Sequence, residues 1–435
     1  MKITEYRVTP IAFSDPPLRA ASGLHAPYAL RTIVEVVSDD GITGVSETHG
    51  GVGVVNDLEA VRDLVIGRDP FQLADLETTI WGSGSGYGSD VQTMVSGKLK
   101  SPPRTFGAIE VACLDLIGKA IERPVCDLLG GRVRDRVPFS AYLFSKHVGA
   151  GGQWGFENDP AVPADLGVGG GWPSARQKEA LSAETLVAQA QAMVAAFGFK
   201  SIKLKAGVLA PDEEVRTMRL LREAFGPDVP LRIDPNAAWS LETSLRCARE
   251  LEGLLEYYED PVAGKKAMAE LSKQTNLPLA TNMCCVSFAD LPETIRLGSV
   301  QIILGDHHFW GGLRPSVELA RICRTWNIGM SMHSNSHMGI SLAAMTHLAA
   351  VVPNLTYACD THYPWQAEEI IKGGKLQFED GALPVPTGPG LGVEIDRAEL
   401  ERMHQQFLDC GLTHRDDAAE MQKVQPGWAF RVPQW

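Results

Sequence analysis

Ten side chains define what this sequence can do chemically: Lys203 and Lys205, Asp234 with Asn236, Glu259, Asn282, Asp306, His333, and Asp360 with His362. From Asp234 the series runs through Glu259, Asn282, Asp306 and His333 at intervals of 25, 23, 24 and 27 residues, close to the length of one strand-plus-helix unit. Asp234, Glu259 and Asn282 offer three hard oxygens, the donors that suit Mg2+ in octahedral geometry with positions left for water or substrate. Zinc's nitrogen and sulfur donors are missing from this trio. One acidic residue at a strand end can simply cap the next helix, but three in register on consecutive units point to a shared cation. Lys203 and Lys205, two apart on a strand, share one face, and Lys205 beside a metal and a second ammonium is expected to act as a base. His333 follows Asp306 by one unit. A carboxylate bonded to one imidazole nitrogen sets the tautomer and supports the imidazolium formed when the other nitrogen takes a proton. A lone histidine at a strand end is commonly structural; the Asp306 partner and the trio favour chemistry. A metal flanked by two bases is suited to removing a proton next to a carboxylate.

These residues need elements that converge. From about residue 182, apolar runs alternate with helical patterns. The strand segments are SIKLK, PLRID, LLEYYE, PLATN, VQIIL, IGMSM and LTYACD, preceded by RVPFSAYLF, eight in all. Between them AETLVAQAQAMVAAFG, SLETSLRCARELEGL, SVELARICRTW and SLAAMTHLAAVV carry apolar residues at helical spacing, with Ser240 as the N-cap of the second. No GxGxxG or GxxxxGK[ST] turn is present, so a closed barrel is favoured over an open doubly wound sheet. Barrel strand ends share one mouth, which is where the ten residues fall.

The 435 residues accommodate such a barrel and a second domain. Residues 1–135, with RTIVEVVS, GITGVSET and the helical FGAIEVACLDLIGKAI, read as an α+β domain; 136–384 as the barrel; and 385–435 as an irregular aromatic tail returning to the first domain. Two Gly-rich stretches, Trp81 to Tyr87 and Gly149 to Gly171, are long enough to be lids, or equally to be disordered. A net charge of −13 disfavours nucleic-acid binding. No apolar run approaches a membrane span and the N-terminus lacks a leader pattern, so no membrane partner and a cytoplasmic location are expected. The eight cysteines, including adjacent Cys284 and Cys285, show no CxxC pairs and read as buried small hydrophobes, with a reactive thiol at Cys284 or Cys285 as the alternative.

Taken together, IKLKAG, RIDPNAAWS, YYEDP, LATNM, LGDHHFWGG, MHSNSH, CDTHYPWQ and GLGVEID, with RDDAAEMQ and PGWAF, resemble the acid-sugar branch of the enolase superfamily over almost the whole chain. The resemblance implies an α/β fold, a modified TIM barrel (β/α)7β under an N-terminal α+β capping domain. It implies a hydro-lyase with Mg2+ on Asp234, Glu259 and Asn282, acting on a small dicarboxylic sugar acid, D-glucarate to 5-dehydro-4-deoxy-D-glucarate. Galactarate, idarate or another aldarate, by dehydration or epimerisation, and a weakly active binding relative are the alternatives. In that scheme His333, backed by Asp306, removes the α-proton; Lys205 is the base on the other face; Lys203 and Asn236 hold the carboxylate and the enediolate. His25, Tyr142, Ser334, Asn335, His362 and Arg415 join Asp234, Asn282 and His333 around the substrate. Without the family, Arg415 in THRDD reads as a surface residue paired with Asp416 or Asp417. Three positions depart from the family pattern: a short connection, VAGKKAMAE, after EDP; Ala20 in place of an Asn; and Pro102–Pro103 where a Thr is usual. Homo-oligomers are expected, since barrels with apolar outer helices commonly associate.

Overall fold

The computed structural model describes residues 1–82, 101–162 and 171–435. Strands β1 (Ile3–Ser14), β2 (Tyr28–Ser38) and β3 (Thr43–His49) form an antiparallel sheet in that order, with Val8 opposite Val34 and Val34 opposite Ser46. Helix α1 (Pro102–Ala120) packs across β2 and β3. Its first turn has Pro at the opening positions and the Ser101 hydroxyl as N-cap, where prolines lose no hydrogen bond. The helix is buried on nearly every side because its other flank meets the barrel. A Cβ on Gly107 would sit 2.8 Å from the Gly312 nitrogen, so only glycine permits that approach.

The second layer is a parallel sheet of seven consecutive strands: β4 (Ala141–Phe144), β5 (Ile202–Lys205), β6 (Leu231–Asp234), β7 (Tyr257–Glu259), β8 (Leu279–Thr281), β9 (Ile302–Gly305) and β10 (Gly329–Met332). The expected eighth strand, LTYACD, is not a continuous ladder. Leu355–Asp360 instead crosses the gap with single bridges, Met330 to Leu355 on one side and Phe139 to Cys359 on the other. The bonds Asp360 N to Met332 O and Ser140 N to Cys359 O, both 2.9 Å, close the ring. This is a modified TIM barrel in which seven strands are regular and the eighth is a seam.

Outside the ring the four anticipated helices form, α2 (Ala183–Phe197), α4 (Leu241–Leu251), α7 (Leu313–Thr325) and α8 (Gly339–Val351), joined by α3 (Pro211–Phe225), α5 (Lys265–Ser272) and α6 (Leu291–Leu297), which the sequence reading did not single out. Ser240 does cap α4, accepting from Thr243 N at 3.1 Å. Helix α8 is apolar all round and wholly buried, since β3 and α7 cover it as well as the barrel. The short connection after Pro261 places α5 only four residues beyond Asp260, starting from Gly264 at φ 83°.

The tail is more regular than its sequence suggests. It forms α9 (Arg397–Cys410) and α10 (Asp417–Val424), capped by Asp396 and Asp416. Only Leu400, Met403 and Met421 are buried with them among apolar side chains, too few to print a clear apolar period. Helix α9 lies along β1 through His404 Nδ1 to Pro10 O at 2.7 Å and Gln406 Nε2 to Ala12 O at 2.9 Å. The last residues go elsewhere: Trp435 O accepts from Ser240 N and Gln434 N donates to Ala238 O, on the loop after β6. Of the two Gly-rich stretches, 83–87 of the first and 163–170 of the second lie outside the described residues; within Gly149–Val162 there is one short 3-10 turn, Gly152–Trp154.

Candidate active site

The strand ends bring the predicted side chains to one mouth. A cavity is lined at its base and walls by Lys205, Asn236, Asn282, His333, Ser334 and Asn335. Tyr142, Phe144 and His362 form one side, and His25 with Ala20 and Ser22 comes over from the N-terminal segment. Arg415 enters from the tail. Asp234, Glu259, Asp306, Asp360 and Lys203 lie a layer deeper, each at most 3% exposed. Lys203 therefore does not line the cavity in this state.

The deeper layer is an ion cluster. Lys203 Nζ is 2.6 Å from Glu259 Oε2, 2.6 Å from Asp360 Oδ2 and 3.8 Å from Asp234 Oδ2. Lys205 Nζ meets Asp234 Oδ2 at 2.6 Å. Burial works against a charged Lys203, but Asp360, Glu259 and Asp234 outweigh it and hold its pKa above the ordinary value. Burial also pushes the Glu259 carboxyl well above the carboxylate range, and Asp234 and Asp360 push it further while Lys203 opposes them. Asn282 Nδ2 donates to Glu259 Oε1 at 3.1 Å. Glu259 Oε2 has the Lys203 charge near it but no donor aligned for a hydrogen bond.

This arrangement fits a divalent cation. Asp234, Glu259 and Asn282 end three consecutive strands and bring two carboxylates and a carboxamide, without soft donors, to one buried cluster, where the carboxamide turns Nδ2 to Glu259 Oε1 and Lys203 holds Oε2. Hard oxygen donors of this kind suit a divalent cation, which would replace the ammonium and amide contacts that now hold them. The turns that follow two of these strands are tight: Asn236, Ala237 and Asp260 have left-handed φ of 55°, 63° and 34°, uncommon for non-glycine residues. Asp260, buried beneath, fixes the Asn282 strand by accepting Asn282 N at 2.8 Å.

Across the mouth His333 Nδ1 bonds Asp306 Oδ2 at 2.9 Å, leaving Nε2 as the nitrogen for the cavity. Burial pushes the Asp306 carboxyl up, but the imidazoles of His308 and His333 hold it well below the ordinary range. Asp306 thus stays ionised behind His333. Lys205 and His333 stand on the second and seventh strands, so three steps separate them round the closed ring.

The upper wall is polar. Arg415 forms a two-pronged pair with Asp417 (Nε to Oδ1 and Nη2 to Oδ2, both 2.7 Å), and Nη2 also reaches His25 Nε2 at 2.9 Å. Its pairing with Asp417 is the one a surface reading expects, yet its guanidinium faces the cavity, and Nη1 is 3.4 Å from Asn335 Oδ1. His362 Nδ1 is 3.3 Å from Ser334 Oγ. The Tyr142 ring lies under both lysines, 4.7 Å from Lys203 Nζ and 6.0 Å from Lys205 Nζ, and its buried hydroxyl has no partner among the described residues. Cys284 and Cys285 take the bland reading: burial pushes both thiols up, Cys285 to about 12, which leaves no reactive thiolate.

The sequence reading missed the residues behind the dyad. His308 Nδ1 bonds the other Asp306 oxygen at 2.7 Å, and Arg31 and Glu47, from β2 and β3, stand behind His308. The doubled histidine in LGDHHFWGG was the available signal.

The chain is similar to known proteins over its whole length. Residues 185–399 match the family of enolase C-terminal domain-like proteins. A probable glucarate dehydratase of Streptomyces coelicolor is 45% identical over 100% of this chain and 99% of its own. A solved enolase from Mycobacterium smegmatis, complexed with tartrate, is 48% identical, covering 100% of this chain and 98% of that one with a TM-score of 0.90. Another from Pseudomonas fluorescens, with bound magnesium, potassium and tartrate, is 48% identical, covering 100% and 99% with a TM-score of 0.90. The chain belongs to the enolase superfamily, as a hydro-lyase of its glucarate dehydratase-like group.

Proposed function

We propose that this protein is a Mg2+-dependent acid-sugar dehydratase converting D-glucarate to 5-dehydro-4-deoxy-D-glucarate. The observation that carries the reading is a single cavity with a proton acceptor on each side, Lys205 and His333, above a buried oxygen trio. The 45% identity to the probable glucarate dehydratase supports the substrate class, and tartrate, a short dihydroxy diacid, in two relatives is in keeping with it.

Asp234, Glu259 and Asn282 would hold the ion, whose charge would stabilise the carboxylate as its α-carbon loses a proton. The steps on this chain's residues follow from atom placement. His333 Nε2 takes the α-proton, and the resulting imidazolium is balanced by Asp306 through Nδ1–H. The same proton then goes to the β-hydroxyl, which leaves as water, and the enol relaxes to the ketone. Lys205 performs the abstraction on the opposite face, for the epimeric substrate, and Asn236 donates to the enediolate, with the Lys203 ammonium contributing its charge from the layer beneath the cavity. Arg415, His25 and Asn335 would bind the far carboxylate and hydroxyls, a planar guanidinium suiting a carboxylate by paired hydrogen bonds. Tyr142, Ser334 and His362 complete the wall.

A second aldarate, such as galactarate, is favoured by one feature: Ala20 lines the cavity and offers no polar contact there. The deciding experiment is turnover of Mg2+-loaded protein on stereoisomeric aldarates, following the keto product with and without chelator. Chelator-sensitive product from glucarate is expected. Product from galactarate alone would transfer the assignment to it, and folded protein silent on the whole panel would overturn dehydration.

A further inference from the structure

We propose that His308 is a positioning residue for His333, acting through Asp306 and held in place by Arg31 of the N-terminal sheet; the inference rests on the proposed dehydratase reading of the dyad. Asp306 divides its two oxygens. Oδ2 goes to His333 Nδ1 at 2.9 Å, and Oδ1 accepts from His308 Nδ1 at 2.7 Å and His308 N at 2.9 Å. With Oδ1 occupied by two donors, rotation of the carboxylate is blocked and Oδ2 is reserved for His333.

The far side of His308 decides which nitrogen can donate. Arg31 Nη2, a donor at every working pH, lies 3.2 Å from His308 Nε2, and Ser341 Oγ lies 2.9 Å from it. Nε2 can therefore serve as the acceptor while Nδ1 carries the hydrogen toward Asp306. Were Nε2 to carry a second hydrogen, directed to Glu47 O at 3.1 Å, Nδ1–H would still face the ionised Asp306. The donor role toward Asp306 is thus common to both states. Arg31 is itself fixed: Nε donates to Glu47 Oε1 at 2.8 Å, with both groups at most 2% exposed. Glu47 in turn accepts Met338 N at 2.8 Å and Ser341 N at 2.9 Å, tying β3 to the start of α8. His49 and His307 pack their rings on His308 at 5.0 and 4.0 Å. Glu47 and His308 line neither the substrate cavity nor the pocket beside it, and Arg31 borders only that adjoining pocket, which shares His25, Asn335 and Arg415 with the cavity. Their burial beside a single catalytic carboxylate is explained if they set its orientation.

The consequence is tautomeric. An imidazole lacking a fixed acceptor at Nδ1 drifts to the Nε2–H form, which has no lone pair to offer the α-proton. Nitrogen-15 resonances of His333, identified by their loss in His333→Asn, report the tautomer in the absence of any substrate. We expect the Nδ1–H form in the unaltered protein, a mixture in His308→Phe, and retention in His308→Asn, which keeps a donor toward Asp306. On the aldarate that the protein dehydrates, His308→Phe should lower kcat about 10–100-fold with KM within about twofold. Exchange of the α-proton on the Lys205 face should be unchanged, and His308→Asn should recover most of kcat. A His308→Phe protein with the parental tautomer and kcat overturns the proposal. So does a folded His308→Asn protein that loses the Nδ1–H form. Absence of turnover in the unaltered protein would count against the dehydratase reading alone, with the nitrogen-15 result still deciding the role of His308.

Discussion

At the scale of single residues, the site separates groups that react from groups that stay charged. His333→Asn removes the nitrogen to which the proposed reaction assigns the proton while leaving the oxygen trio intact. Turnover by the His333 face should vanish, with Mg2+ binding by calorimetry unchanged. Asp306→Asn leaves the imidazole but removes its counter-charge, and a loss on the order of 10⁴ in kcat is expected, the size seen when a carboxylate behind a catalytic histidine is neutralised. Asp417 gives a pH test. Burial pushes its carboxyl up, but the Arg415 guanidinium and the Ser22 hydroxyl more than compensate and hold it at about 2, below the ordinary 3.8. A carboxyl whose folded pKa is depressed contributes stability above its unfolded pKa and loses it as pH falls through the folded value. Unfolding free energy should therefore decline from about pH 4 to about pH 2 by an amount on the order of 2 kcal/mol that Asp417→Asn lacks. Denaturant titrations of the two proteins at several pH values measure the difference.

At the scale of elements, the contact between α1 and the barrel depends on one carboxylate. Glu110, wholly buried in α1, accepts Leu313 N at 2.8 Å and Arg314 N at 2.9 Å, the free amides at the start of α7. Glu110→Ala would strand both amides and should cost about 2–4 kcal/mol; Glu110→Gln, which keeps one acceptor, should cost about half as much. Thermal unfolding of the three proteins ranks them. The elements that carry the trio and the dyad were readable from sequence because each strand ends in a polar residue after an apolar run, at a near-constant interval. Asp234, Glu259, Asn282, Asp306 and His333 fell where that pattern put them. Three things were not readable. Leu355–Asp360 looks like any other strand, and only its neighbours decide that it pairs through single bridges. Helices α9 and α10 are mostly solvated, so their apolar period is faint. Arg31 and Glu47 look like ordinary charges on exposed strands; that both are buried follows from α8 packing against β3, a contact between residues about 300 positions apart.

At the scale of the whole molecule, the buried cluster links metal to stability. The trio lies buried in a closed ring that exists only in the folded chain, so a cation that binds there should stabilise the fold by mass action, about 2.7 kcal/mol at 100 times Kd. Melting followed with and without Mg2+ should show an upward shift that a chelator reverses and Glu259→Gln abolishes. A shift that persists in Glu259→Gln would place the ion elsewhere.

The seam at Leu355–Asp360 has a consequence for how the protein comes into being. Asp360 reaches across it to Lys203 on the second strand, so the charge set around the trio is complete only when the ring shuts. During synthesis the strands bearing Asp234, Glu259 and Asn282 leave the ribosome about 75 residues or more before Asp360 does. The nascent chain therefore carries these carboxylates for some time before the Asp360 partner of Lys203 exists, and the charge cluster can be assembled only by the finished ring.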